Sequence, residues 1–317
     1  MVDSAPLRIV FFGTPEFASP TLRALLDSRH TVVGVVTQPD RARGRGQKVA
    51  FSPVKTLALE HGLPLLQPEK LRDPAVAETL RSWDPDLGVV AAYGKLIPED
   101  LLTLPRLGMI NVHGSLLPRL RGAAPVHRAI IDGDTDTGIT IMRVVKNLDA
   151  GDMFAKVKRP IGPGETADVV ERDLAALGAP LLVRVVDQLA AGTAVEEPQD
   201  YMFATYAPKI TREDGLIDWT LPASFIHNRV RGLYPWPHAF TFLDGERLIL
   251  WRTRVLADPS VEPPGTVVAA SPDGIEVATG HHGRLAIEEL QAEGRRPMAA
   301  RDFLAGRPIH PGARFGA

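Results

Sequence analysis

The chain has 317 residues, 44% hydrophobic and 23% charged, with 36 basic against 38 acidic side chains. That is ordinary globular composition, which excludes a disordered tail protein or a collagen-like fibre and at this length favours two domains over one. The lack of any cysteine excludes disulfide scaffolds, cysteine zinc sites, iron–sulfur clusters and thiol nucleophiles, and a formal charge of −2 leaves a nucleic-acid partner to be met by a local basic patch.

The start has no basic n-region and only a six-residue apolar run, Leu7–Phe12, so no signal peptide is expected. No stretch approaches the roughly 20 apolar residues of a membrane helix, and a cytoplasmic location without membrane contact is the default expectation. Leu7–Phe12 reads as a strand and Phe17–Ser28 as a helix. The turn between them, Gly13-Thr14-Pro15-Glu16-Phe17, is not a dinucleotide fingerprint, because Pro15 stands where the second glycine belongs. A tight turn capped by Thr14 is the better reading.

Thr31–Thr37 is a β-branched run, hence a second strand. The glycine-rich stretch Gln38–Lys48 lacks the P-loop pattern, but Arg41, Arg43, Arg45 and Lys48 fall within eight residues beside one acid, Asp40. Two readings stay open for it: a solvated surface loop, or a loop whose arginine forks grip phosphate. Ser52–His61 and Ala75–Trp83 read as helices, and Leu87–Ala92 and Met109–His113 as buried strands. Apolar strands alternating with helices predict an α/β domain with a Rossmann-like, mostly parallel sheet.

The segment Asn111-Val112-His113-Gly114-Ser115-Leu116-Leu117-Pro118 carries the sharpest signal. Side chains alternate along a strand, so Asn111 and His113 share a face at the carboxyl end, where open α/β sheets bind ligands. An Asn amide can hold a developing oxyanion and a His can move a proton near neutrality. A hydrogen-bonded structural pair is the competing reading. A carboxylate is needed to orient such a His, and Leu148-Asp149-Ala150-Gly151-Asp152, after the strand-like run Gly138–Val145, is the best source. No serine elbow or H-E-x-x-H motif competes with this trio, and His281-His282 lies in a turn without a ligand set, so no metal is expected.

Thr166–Ala191 is the clearest helix, with Thr166 as N-cap, Gly192 just past the end, and a stripe of Val170, Leu174, Leu177, Leu181, Val185 and Leu189. Gly178 and Pro180 leave room for a kink. Residues 193–212 read as a linker between a domain spanning 1–192 and a second spanning 213–317. That second domain shows short strands, Ala239–Leu243, Arg247–Leu256, Gly265–Ala270, Ile275–Thr279 and Arg284–Leu290, with an Asp244-Gly245 hairpin turn and a closing helix, Met298–Ala305. Five short strands predict a small OB-like β-barrel.

Taken in order, FFGTPEFA, TQPDR with its GRG loop, NVHGSLLPRLRGAAP, TGIT and LDAGD resemble the folate-dependent formyltransferases, from Leu7 to about Arg314. Sugar formyltransferases share a close copy of the HGSLLP stretch. The arginine–glycine loop and the ending, with Ile217–Trp219, Tyr234–Phe240 and the barrel, favour the members that act on tRNA. The resemblance implies transfer of the formyl group of 10-formyltetrahydrofolate, a co-substrate, to methionyl initiator tRNA. It implies Asn111, His113 and Asp149 as catalytic residues, with Asp149 holding His113 and keeping it charged. It implies Ser115, Leu116, Leu117 and Pro118 as the folate-contacting segment, walled by Tyr93 and Ile97. It implies Arg41, Arg43, Arg45 and Lys48 against the tRNA acceptor end. Residues 207–317 hold 13 basic and 13 acidic side chains, so a tRNA-binding barrel must rely on the placement of Arg229, Arg231, Arg252, Arg254, Arg295 and Arg296. A monomer is expected. The alternatives are the same chemistry on a nucleotide amino-sugar or glycinamide ribonucleotide, or a non-catalytic folate- or RNA-binding module.

Overall fold

In the computed structural model, which describes residues 5–43 and 48–316 (the side chains of 42, 43, 48 and 49 excepted), the apolar runs of the N-terminal half assemble into one seven-stranded sheet. The elements run β1 (Arg8–Gly13), α1 (Ser19–Leu26), β2 (Thr31–Val36), β3 (Arg41–Arg43), β4 (Lys48–Ala50), α2 (Pro53–Glu60), β5 (Leu65–Leu66), α3 (Pro74–Ser82), β6 (Leu87–Ala91), α4 (Glu99–Leu102), β7 (Met109–His113), β8 (Arg121–Gly122), α5 (Pro125–Ile131), β9 (Asp136–Arg143), β10 (Met153–Pro160), α6 (Ala167–Ala191) and β11 (Tyr206–Ala207). The sheet order is β10-β9-β7-β6-β1-β2-β5. Pairing is parallel from β7 through β6, β1 and β2 to β5, and antiparallel between β7 and β9. The Rossmann-like sheet expected from the apolar runs is therefore present.

Local chemistry explains several boundaries. Ser52 caps α2 by accepting from the Lys55 N–H at 3.1 Å, and Asp73 caps α3 through the Ala75 N–H at 3.0 Å. Thr14 is not a cap. The residue before the first helical turn is Pro15, and the Thr14 hydroxyl instead accepts from the Gln38 N–H and the Thr37 hydroxyl, both at 3.3 Å, tying β1 to β2 at their carboxyl ends. Within the polar stretch after β2, Arg41–Arg43 pairs antiparallel to Lys48–Ala50 as the two strands of a hairpin.

Helix α6 runs unbroken through Pro180. A Cβ at Gly178 would stand 3.1 Å from Val112 and 3.3 Å from Ile139, so the glycine lets the helix lie close on β7 and β9. Leu177, placed on the expected stripe, is 38% exposed, while Leu182 and Val186 are buried. By length and composition α6 could cross a membrane, which corrects the expectation that no stretch approaches that limit, yet Leu174, Leu181, Leu182, Val185 and Val186 are buried inside the protein.

The chain divides into two compact units. The first holds the chain up to Pro125, Thr137–Arg159 and Glu171–Ala207, and the second holds Val126–Asp136, Pro160–Val170 and the chain from Pro208. Residues 193–207, expected as a linker, belong to the first unit, because β11 pairs with β8 and Gln199 is buried among first-unit residues.

The second unit continues with α7 (Ala223–Gly232), β12 (Ala239–Leu243), β13 (Glu246–Leu256), β14 (Val267–Ser271), β15 (Gly274–Ala278), β16 (Arg284–Ala292), β17 (Met298–Ala299), α8 (Ala300–Gly306) and β18 (Phe315–Gly316). Its antiparallel sheet has seven strands where five were expected, in the order β14-β15-β16-β13-β12-β18 with β17 beside β16. Asp244 and Gly245 have φ of 52° and 78°, the primed turn that their sequence signals. The two ends of the sheet meet through a Thr266–Arg314 bridge, flanked by bonds from Val267 N–H to the Ala313 carbonyl and Phe315 N–H to the Gly265 carbonyl, each 2.8 Å. That pairing curls the sheet into a small barrel. Trp219 is buried, stacks on Phe315 and donates to the Thr241 hydroxyl at 3.0 Å.

One buried titratable group ties the first unit together. His30 accepts the Leu7 N–H on Nδ1 at 3.0 Å and holds Asp187 at 3.2 Å from Nε2. Burial pushes its pKa below the usual value, outweighing the opposite pull of Asp187. The folded state thus binds this proton less readily than the unfolded chain does. The stabilisation is complete above about pH 6.5 and is lost as pH falls below it. His30→Gln should flatten the fall in urea-unfolding free energy between pH 7.5 and 5.5. Parallel pH profiles for the two proteins would refute a neutral buried His30.

Candidate active site

Strand β7 presents Asn111 and His113 on one face, opposite Met142 and Thr140 of β9. Asn111 is half-buried, and among the described residues its amide makes no hydrogen bond. His113 is buried, and its Nε2 lies 3.0 Å from the Leu120 carbonyl oxygen. A carbonyl only accepts, so this nitrogen carries the proton. Nδ1 faces Asp149 Oδ2 at 3.7 Å, an ion-pair distance longer than a hydrogen bond. The same Oδ2 accepts the Gly122 N–H at 2.8 Å. Gly122 has a φ of +119°, and a Cβ there would lie 2.7 Å from the Ala207 carbonyl, so only glycine serves at this donor position.

The loop after His113 is locked by polar bonds. Ser115 Oγ donates to the Arg119 carbonyl at 2.7 Å, and Thr140 Oγ1 donates to the Ser115 carbonyl at 2.7 Å while accepting the Leu117 N–H at 3.1 Å. Ser115 is buried, so its hydroxyl shapes the loop from within. Leu117 packs with Met142 and Met153, and its bond to Pro118 is cis. Leu116 and Pro118 are half-buried, and Leu116 lies over Gly138, where a Cβ would come within 2.5 Å of its side chain. Tyr93 follows β6 and is buried, its ring edge-on to Phe12 at 5.5 Å. Among the described residues its hydroxyl has no hydrogen-bond partner, and burial pushes its pKa up to about 12. Ile97 packs against the same cluster.

The basic residues are placed unevenly. Arg41 is exposed, only the backbone of Arg43 and Lys48 is described, and Arg45 lies outside the described residues. The base of their hairpin is anchored. The Asp40 carboxylate bonds the Lys55 ammonium and accepts from Gln67 Nε2 at 3.0 Å, and the Lys55 bond above all holds its pKa below the usual carboxylate range. In the second unit Arg231 is buried, bonded to the Gly162 and Glu165 carbonyls, which removes it from the expected surface set. Arg252 and Arg254 are exposed and share Glu288, and Arg295 and Arg296 are exposed.

The sequence reading missed the supports: Thr140, the Leu120 carbonyl, Gly122, Arg121 and Gln199. Thr140 lies inside the TGIT motif, in register with His113, and Leu120, Arg121 and Gly122 lie inside the NVHGSLLPRLRGAAP stretch without being assigned a role; Gln199 lies in no motif.

A Rossmann-like sheet followed by a curled antiparallel sheet is the fold that this chain shares with formyl transferases of known structure. Residues 7–186 match the family described as formyl transferase, and residues 209–308 match its C-terminal domain; the chain belongs to that family. Over 312 residues it is 49% identical to a methionyl-tRNA formyltransferase of Geobacter metallireducens, covering 98% of this chain and 99% of the relative. A methionyl-tRNA formyltransferase of Bacillus subtilis is 46% identical over 309 residues, 98% of each chain. The fold is shared with an N-formyltransferase from Helicobacter canadensis solved with folinic acid and dTDP-3-aminofucose, at a TM-score of 0.66 and 12% identity over 90% of this chain and 99% of that one.

Proposed function

We infer that this chain transfers the formyl group of 10-formyltetrahydrofolate to the free α-amino group of methionyl initiator tRNA. The observation that carries this is the similarity to enzymes bearing that name along 98% of the chain, barrel and basic hairpin included. Asn111, His113 and Asp149 are the catalytic residues in this reading. When bound, the folate supplies an electrophilic formyl carbon on a nitrogen that can leave as an amine. The unengaged Asn111 amide donates to the formyl oxygen as the substrate amine attacks, and one such donor typically contributes about 2.7–4 kcal/mol to barrier lowering. His113 hydrogen-bonds that oxygen through the Nε2–H that rests on the Leu120 carbonyl and then gives this proton to the departing nitrogen, and the amine proton taken by Asp149 makes good the loss to the His113–Asp149 pair. Asp149 orients the ring through Nδ1 and takes the amine proton, directly or through water.

The 115–118 loop shapes the folate pocket, with Tyr93 and Ile97 as walls. The buried, unpartnered Tyr93 hydroxyl supports that fit, since a polar atom in such a position awaits a partner. Tyr93→Phe should raise the Michaelis constant for the folate about fivefold, the equivalent of one hydrogen bond of ~1 kcal/mol, and leave the melting temperature of the free protein unchanged or higher. An unchanged Michaelis constant would remove Tyr93 from the pocket.

Arg41, Arg43, Arg45 and Lys48 grip phosphates near the acceptor end. The first unit, which includes residues 193–207, carries the catalytic residues in this reading, and the barrel from residue 213 onward binds tRNA. A cytoplasmic monomer suits an enzyme of translation initiation. The test is labelled 10-formyltetrahydrofolate offered to methionyl initiator tRNA and a nucleotide amino-sugar in competition. Label on the tRNA, lost in His113→Ala, supports the reading. Label on the sugar refutes the acceptor and leaves the hairpin unexplained.

A further inference from the structure

Asp149 has a φ of +47°, in the left-handed region that a non-glycine residue occupies only when its surroundings hold it there. The holding groups lie far away in sequence. Gln199 Nε2 donates to the Asp149 carbonyl at 2.9 Å and to the Gly151 carbonyl at 2.7 Å, clamping the turn on either side of Ala150. Gln199 Oε1 receives Arg121 Nε at 3.1 Å and Nη2 at 2.7 Å. This arrangement fixes the amide's orientation. A flipped amide would set its oxygen against two carbonyls and its NH2 against a guanidinium. Arg121 and Gln199 are both buried, and the Tyr201 ring covers the guanidinium at 4.8 Å.

The clamp meets the reacting groups from two sides. Arg121 directly precedes Gly122, whose N–H holds Asp149 Oδ2, and directly follows Leu120, whose carbonyl holds His113 Nε2. The backbone of this stretch is pinned in turn by Thr205. Its hydroxyl accepts the Leu120 N–H at 2.9 Å, and its carbonyl accepts the Arg121 N–H at 2.8 Å. One buried side-chain pair therefore joins the segment that holds His113 to the turn that carries Asp149.

We propose that Arg121 and Gln199 are positioning residues, which set the Asp149 carboxylate against His113 Nδ1 by clamping the Asp149–Gly151 turn. The proposal rests on the catalytic roles given above to His113 and Asp149. Gln199→Leu removes both halves of the clamp. Gln199→Glu keeps an acceptor for Arg121 but can no longer donate to the two carbonyls, so it separates positioning from fold.

The experiment measures single-turnover formyl transfer to methionyl initiator tRNA, the folate Michaelis constant and the melting temperature for the parent, both Gln199 variants, Asp149→Asn and the Gln199→Glu/Asp149→Asn double variant. A shift of the order of 1 Å in a catalytic group costs up to about a hundredfold in rate. The expected result is a 10- to 100-fold loss of rate in Gln199→Glu, measured well below its melting temperature, with a folate Michaelis constant within threefold of the parent. In the Asp149→Asn background the same change should cost less than twofold, because the group it positions is already disabled. A folded Gln199→Glu enzyme that turns over at the parental rate overturns the proposal, as does a full additional loss on top of Asp149→Asn. If Gln199→Leu fails to fold, Gln199→Glu alone decides. A parent that formylates no methionyl-tRNA refutes the proposed function instead, an outcome read before any variant is compared.

Discussion

Asp149→Asn is expected to lower the rate of formyl transfer about a thousandfold while changing folate affinity less than threefold. The asparagine oxygen can keep the Gly122 N–H that Oδ2 accepts at 2.8 Å, and the backbone clamp on the turn is untouched, so the shape of the site survives. What disappears is the negative charge 3.7 Å from His113 Nδ1 and the acceptor for the amine proton. In a Ser-His-Asp triad the same change leaves the geometry intact and costs about 10⁴ in turnover, because the histidine is held in the wrong tautomer. The rate is read in single turnover at saturating folate and tRNA, and affinity by direct folate titration. Equal losses in rate and in folate affinity would make Asp149 a pocket-shaping residue and would remove it from the chemistry.

The proposed trio could be picked out because each member sits on a local pattern: two polar residues ending an apolar strand, and an acid in a glycine-bearing loop. The supports were not legible, for a physical reason. His113 is held by the carbonyl of Leu120 and Asp149 by the N–H of Gly122, and backbone groups have no signature of their own. Gln199 lies 50 positions from Asp149 and bonds to main-chain oxygens, so nothing in its neighbourhood advertises the pairing. The barrel shows the same divide. Its hairpins follow from turn residues such as Asp244-Gly245, whereas its closure rests on a bridge between Thr266 and Arg314, a pairing that local alternation does not specify. The hairpin of the basic loop escaped for another reason. Its strands are three residues each, too short for alternation to register, and their composition is dominated by charge and glycine.

Replacing Arg41, Arg43, Arg45 and Lys48 together by alanine is expected to weaken methionyl-tRNA binding roughly a hundredfold at 50 mM salt. It should also flatten the dependence of log affinity on log salt by about three, since each phosphate that the protein no longer neutralises takes ~0.7–0.9 off that slope. The large effect follows from where charge is available. The chain carries a net −2, residues 207–317 are balanced, Arg231 is buried and Arg252 and Arg254 share Glu288. The hairpin stretch concentrates four cations within eight residues, and its one acid, Asp40, is committed to Lys55 and Gln67. Formyl transfer on tRNA already bound should proceed within threefold of the parental rate, because none of the four belongs to the trio. An unchanged salt slope would show that the hairpin does not meet phosphate. Asp40→Ala separates charge from order: it deletes no cation but frees the hairpin base from α2. An affinity loss in that variant with the salt slope intact means the anchored base matters because it presents the cations in a fixed geometry. No loss at all means that the four charges act without the anchor.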